Sequence, residues 1–196
     1  MERTKNGTLA DTLIRSRTLA RDAWLVGAGS VLVGLMAQIA IPLPFTPVPV
    51  TGQTFGVLLV GALLGCRRGA LSLVLYLLEG IAGLPVFAGG SSGLTRLLGP
   101  TGGYLLGFVV AAGVTGWLCE RGWDRRVPTA ALAMLIGNLV IYLFGLPWLA
   151  LFVGPEKSLV MGFWPFIPGD LLKLALAALV LPGAWRFVGE IRQQTQ

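Results

Sequence analysis

Apolar residues run along this chain in six blocks, each far longer than a strand and separated by short polar, proline-rich or glycine-rich interruptions, a pattern suited to helices that cross a membrane. The blocks cover residues 24–41, 55–66, 68–85, 101–119, 128–146 and 168–188. A proline cluster, PLPFTPVPV at 42–50, stops the first, because no helix interior tolerates it. The second is short for a crossing, so it is expected to begin a few residues earlier or to span only part of the protein. The fifth is expected to end near Pro147 or to continue past it bent. Three connections, at 42–54, 85–103 and 146–169, are rich in glycine and proline and read as loops.

Composition agrees with the pattern. With 55% hydrophobic and 12% charged residues and a mean hydropathy of +0.77, 196 residues carry more apolar surface than one soluble core can hide. The expected fold is therefore an all-α integral membrane protein of six transmembrane helices. Its organisation is a basic tail at 1–22, a six-helix substrate-binding domain at 23–188 and a short tail at 189–196. The first twenty residues lack an apolar stretch and so read as a retained tail or a short surface helix, not a cleavable signal.

Charge supplies the orientation. Six crossings put both termini on one side, and twelve of the fifteen Lys and Arg residues then share that side: Arg3, Lys5, Arg15, Arg17, Arg21, Arg67, Arg68, Arg121, Arg125, Arg126, Arg186 and Arg192. The positive-inside rule makes it the cytoplasmic face of a bacterial or archaeal cell membrane. Arg96, Lys157 and Lys173 fall on or near the other. The net charge of +6 does not indicate nucleic acid, because the arginines lie between apolar blocks and form no soluble basic stripe.

Several chemistries are excluded. There is no histidine, and the only cysteines are Cys66 and Cys119, which removes His-based triads, the usual zinc sites and any disulfide framework. No catalytic group, metal site or bound cofactor is expected. No G-x-x-x-x-G-K-[ST] motif occurs, so ATP, if it drives transport, acts on another chain.

The informative polar residues are Asp170 and Lys173, at the outward mouth of the sixth block. Three residues apart on a helix, they share a face. Either they neutralise each other at headgroup level or they line a cavity open to the outside; the composition of the outward loops favours the cavity. Phe163, Trp164 and Phe166, just upstream, are candidate walls. Glu79, alone in the third block, reads as an interhelical hydrogen-bonding group or, in an ion-coupled carrier, as the coupling carboxylate. Ala23, Gly27, Ser30 and Gly34 place small residues four apart on the first block, a face for internal packing or for a partner subunit.

The segment GPTGGYLLGF at 99–108 resembles the signature of the BioY family, the biotin-binding S components of energy-coupling-factor (ECF) transporters. The resemblance extends through PVPVTGQTFGVLL at 47–59, GLPVFAGGSSG at 83–93 and FIPGDLLK at 166–173, in the family's order. It implies six membrane helices with cytoplasmic termini, biotin as transported ligand, and assembly in the lipid bilayer with a transmembrane coupling T protein and a pair of ABC-type ATPases. The acid and lysine of the family's G-D-x-x-K motif map onto Asp170 and Lys173. Biotin's ureido ring suits these groups, since a carboxylate accepts its N–H groups and a lysine reaches its carbonyl or the tail carboxylate. Tyr104, Ser91, Ser92, Gln53, Asn138 and Arg96 are the further candidate contacts. An S component for another small vitamin is the alternative.

Overall fold

A computed structural model describes residues 7–14 and 18–194, with side chains through 188. Arg3, Lys5, Arg15, Arg17 and the side chain of Arg192 lie outside these described residues.

Two threonines set the start of the bundle. Thr8 and Thr18 each accept a backbone N–H three residues on, at 3.2 Å, and so cap helices α1 (Leu9–Leu13) and α2 (Leu19–Gln38). Part of the expected tail is thus structural: Leu9 is 2% exposed and α1 packs against the bundle. After α2 the proline cluster forms no helix, as expected, but its flanks pair as a small antiparallel ribbon that the six-block reading did not contain. In it β1 (Ala40–Ile41) sets Ala40 opposite Thr51 and Ile41 opposite Val50 of β2 (Val50–Thr51).

The next two helices, α3 (Gln53–Leu64) and α4 (Cys66–Ile81), are joined by one residue. Gly65 has φ +88°, which turns the chain there; a side chain would also run into Glu120 and Thr8. Arg67 and Arg68, expected in a link, therefore lie in the first turn of α4. Downstream come α5 (Leu94–Leu98), α6 (Gly102–Glu120), α7 (Val127–Val153), α8 (Pro155–Gly162) and α9 (Ile167–Gln194), with 3-10 turns at Ala88–Gly90, Trp123–Arg125 and Trp164–Phe166. The fifth helix takes the second of its two expected courses and runs on past Pro147, so residues 148–153 are helical and leave the 146–169 connection shorter than it was read. Pro147 costs α7 one hydrogen bond, and the apolar run beyond it keeps the helix going to Gly154, whose φ of +88° ends it.

Among the described residues four segments are long and apolar enough to cross a membrane: Leu19–Gln38, Gly102–Glu120, Val127–Val153 and the α8–α9 run Pro155–Val188. Helix α6 is the centre, packing on α3, α4 and α7 and burying Leu105, Phe108, Ala111 and Ala112.

The arginine-rich end is closed by polar clamps. Asp11 binds Arg21 at 3.0 Å and Arg68 at 2.8 Å, and Arg68 also reaches Asp22 at 2.9 Å. Burial alone would raise the Asp11 pKa, but its bonds to Arg68, Thr8 and Arg21 outweigh this and hold it below the ordinary carboxylate value. Asp124, fully buried in the turn before α7, accepts Trp185 Nε1 from α9 at 2.5 Å, and its Oδ1 has no partner. Here burial prevails and the pKa is raised. A carboxyl raised in the folded state stabilises below its unfolded pKa and loses that contribution as pH rises through the folded value. Asp124→Asn keeps an acceptor for Trp185 and removes the buried charge, so it is expected to melt higher than wild type at pH 8 and close to it at acidic pH, a comparison thermal melts at the two pH values would make.

Candidate functional site

At the arginine-poor end the ribbon, the 82–101 connection and the first turns of α6 and α9 converge on one cavity. Its walls include Val48 and Thr51 from the ribbon region, Phe87 and Ala88 from the connection, Tyr104 and Phe108 from α6, and Phe166 before α9. Glycines permit this convergence. Gly89 and Gly90 have φ +65° and +73° in the tight Phe87–Ser91 bridge, and Gly103 and Gly107 let α6 approach the Phe144 and Ile141 backbone of α7. About 60 Å³ of the cavity is open to the centre of a water-sized sphere, room for about four waters.

Asp170 and Lys173 both line the cavity, 3.4 Å apart. The exposed headgroup pair is thereby excluded, since Asp170 is only 7% exposed. Asp170 Oδ2 accepts Asn138 Nδ2 at 3.0 Å and the hydroxyl of Tyr142. Lys173 Nζ donates to Thr54 Oγ1 at 2.9 Å as well as to Asp170 Oδ1. A carboxylate has about four acceptor directions and an ammonium three donors. Oδ1 and Nζ therefore each retain capacity for a further partner.

The other candidates divide. Gln53 is buried at the start of α3, where Nε2 donates to Tyr76 Oη at 2.6 Å and Oε1 accepts Thr51 Oγ1 at 3.1 Å, so its side chain joins the ribbon to α4 while bordering the cavity. Tyr104 lines the cavity with its ring and donates its hydroxyl to the Gly162 carbonyl at 2.9 Å. Arg96 is on the wall, with Nε donating to Ser91 Oγ at 3.0 Å and no carboxylate partner among the described residues. Ser91 thus positions Arg96 and does not line the cavity; neither does Ser92. Asn138 lies behind Asp170, facing a small crevice on its far side.

Of the aromatic candidates Phe166 is on the wall, Phe163 packs edge-on against Tyr142 at 4.8 Å, and Trp164 is 65% exposed. Tyr142 and Thr54 were not singled out in the sequence, although each had a signal. Tyr142 lies four residues after Asn138, on the same helix face, and Thr54 adjoins Gln53. Glu79 is the interhelical group: it accepts the hydroxyl of the fully buried Ser30. Ser30 and Gly34 are accordingly packed inside the chain, whereas Ala23 is exposed and nothing lies within 4 Å of a Cβ placed on Gly27.

The sequence pattern of the BioY family matches residues 5–190. The biotin transporter BioY of Rhizobium etli is 42% identical over 165 residues, covering 80% of this chain and 87% of that protein. The biotin transporter BioY of Rhodobacter capsulatus is 42% identical over 171 residues, covering 76% and 88%. The crystal structure of the S-component for biotin from an ECF-type ABC transporter aligns with a TM-score of 0.74 at 24% identity, over 87% of this chain and 95% of that one, and shares the fold.

Proposed function

The chain belongs to the BioY family, and from that membership we propose that it is the biotin-capturing S component of an energy-coupling-factor transporter. It is a multi-pass membrane protein and not an enzyme. The observation that carries the ligand assignment is the buried Asp170–Lys173 pair on the cavity wall, held by Asn138, Tyr142 and Thr54 with hydrogen-bonding capacity left on both members.

In this reading the arginine-poor end faces outward and residues 23–188 form the substrate-binding domain between two cytoplasmic tails. Six helices cross: α2, α3, α4, α6, α7 and α9. Helices α3 and α4, about 18 and 24 Å long at about 1.5 Å per residue, need their flanking ribbon, loops and turns to complete the passage. Asp170 Oδ1 accepts a ureido N–H, Lys173 donates to the ureido carbonyl, and Tyr104, Phe108 and Phe166 cover the fused rings. Arg96, with no carboxylate partner among the described residues, receives the tail carboxylate. A coupling T protein docks on the open Ala23–Gly27 face, and separate ATPase subunits supply the nucleotide chemistry this sequence lacks. Ser30 and Gly34, enclosed in the bundle, take no part in that docking.

Calorimetry on the detergent-purified chain tests the ligand, with thiamine and riboflavin as controls. Biotin alone is expected to bind; a folded protein that ignores biotin and takes up another vitamin would overturn the assignment. Tyr104→Phe sharpens the geometry. The hydroxyl is spent on Gly162, so its loss is expected to cost about 1 kcal/mol of stability and to leave biotin affinity within about threefold, roughly 0.7 kcal/mol.

A further inference from the structure

Tyr76 of α4 is fully buried and stands behind the cavity wall, not on it. A tyrosine hydroxyl has one proton to give. Here that proton goes to the Val86 carbonyl at 3.1 Å, in the 82–101 connection just past its start, so toward Gln53 the hydroxyl can only accept, and it takes Nε2 at 2.6 Å. This direction fixes the Gln53 amide, whose Oε1 accepts the Thr51 hydroxyl at 3.1 Å. The groups form one run of donors, from Thr51 through Gln53 and Tyr76 to Val86, in which each bond polarises the next.

Both ends of the run reach the cavity. Thr51 and Gln53 line it from the ribbon and α3, and Phe87 and Ala88, the two residues after Val86, line it from the connection. The Tyr76 ring already fixes Phe87 on α4: the two rings meet edge-on at 5.5 Å, and a Cβ on Gly80 would lie 2.1 Å from the Phe87 ring. Ring packing, however, ties Phe87 to α4 alone. Among the described residues no other hydrogen bond runs between residues 50–53 and the 82–101 connection or the α4 residue that anchors it. We propose that Tyr76 is a positioning residue for the ligand, whose hydroxyl holds the Thr51–Gln53 wall and the Phe87–Ala88 wall in register without touching the ligand. The inference rests on the reading of this cavity as the biotin site.

Tyr76→Phe removes the hydroxyl and keeps the ring. Biotin is expected to bind the detergent-purified variant about tenfold more weakly, the scale of a hydrogen bond lost with its buried partners left unpaired, and most of the change should lie in the dissociation rate. Gln53→Met breaks the run one link earlier. Links in series fail together, so in that background Tyr76→Phe is expected to weaken binding by less than about threefold further. In the ligand-free chain, exchange of the Phe87 and Gly90 amides, bonded to the Ser91 and Phe87 carbonyls, is expected to quicken about tenfold. The Cys66 amide, at the other end of α4, is the control and should not change. A tyrosine that only supports the fold would lower the melting temperature and leave the affinity of the folded chain alone. The proposal is overturned by a Tyr76→Phe affinity within about threefold of wild type, by equal penalties in the two backgrounds, or by unchanged exchange at Phe87 and Gly90. Exchange needs no ligand, so a wild type that ignores biotin while those amides respond to Tyr76→Phe refutes the ligand assignment and leaves the link between the walls standing.

Discussion

Asp170→Ala is expected to weaken biotin binding by about 30- to 4,000-fold, because removing one member of a buried, hydrogen-bonded charge pair costs about 2–5 kcal/mol, at about 1.4 kcal/mol per tenfold. Three losses act together. In the proposed pose a ureido N–H loses its acceptor; Lys173 loses its counter-charge 3.4 Å away, and the Asn138 amide and Tyr142 hydroxyl are left as buried donors without Oδ2. The last two also lower stability, so a melting curve without ligand belongs beside the calorimetry. Asp170→Asn separates the contributions, since it keeps an acceptor for Tyr142 while removing the charge, and is expected to fall between alanine and wild type. A folded alanine variant with affinity within threefold of wild type, about 0.7 kcal/mol, would remove Asp170 from the site.

How far this site was legible depended on the contrast between each residue and its surroundings. Asp170 and Lys173 stand out because an ionised pair in an apolar block demands a partner or a ligand. Arg96 stands out because it falls on the arginine-poor side. Tyr142, equally close to the chemistry, sits in a block where an aromatic residue is ordinary, and only its four-residue step from Asn138 marked it. The serines of the GGSSG loop were expected at the ligand because polar loop residues often are, but the tight bridge at Phe87–Ser91 turns Ser91 onto the Ala88 carbonyl and Arg96. Whether the fifth helix would stop at Pro147 or run past it stayed open for a different reason: proline weighs heavily in a local reading, while the continuing apolar run is satisfied only by packing that appears in the fold. The stripe on α2 was legible as a stripe, but which of its residues would be enclosed, Ser30 and Gly34 and not Ala23, was not, because that depends on crossing geometry.

The glycines of the signature at 99–108 have a structural reason that a second substitution tests. A Cβ on Gly103 would lie 2.5 Å from the Phe144 carbonyl oxygen and closer still to the Trp148 side chain, and a helix carbonyl cannot rotate away as a flexible side chain can. Gly103→Ala is therefore expected to push α6 from α7, at a cost of about 1–3 kcal/mol or more and a melting temperature lower by roughly 5 °C or more. Tyr104 lies against Gly145 of α7, with its hydroxyl on Gly162, so the same displacement shifts one wall of the cavity relative to Tyr142 and Asp170 and weakens biotin binding too. Gly113, ten residues along the same helix, is the control. A Cβ there would meet Ala70 at 3.8 Å, an ordinary contact. With helix propensity favouring alanine by up to about 1 kcal/mol, Gly113→Ala should be neutral or stabilising and leave affinity unchanged. If both variants melt alike, close helix approach is not what Gly103 provides; if only Gly103→Ala melts low and loses affinity, the signature's glycines set the distance at which the two sides of the cavity meet.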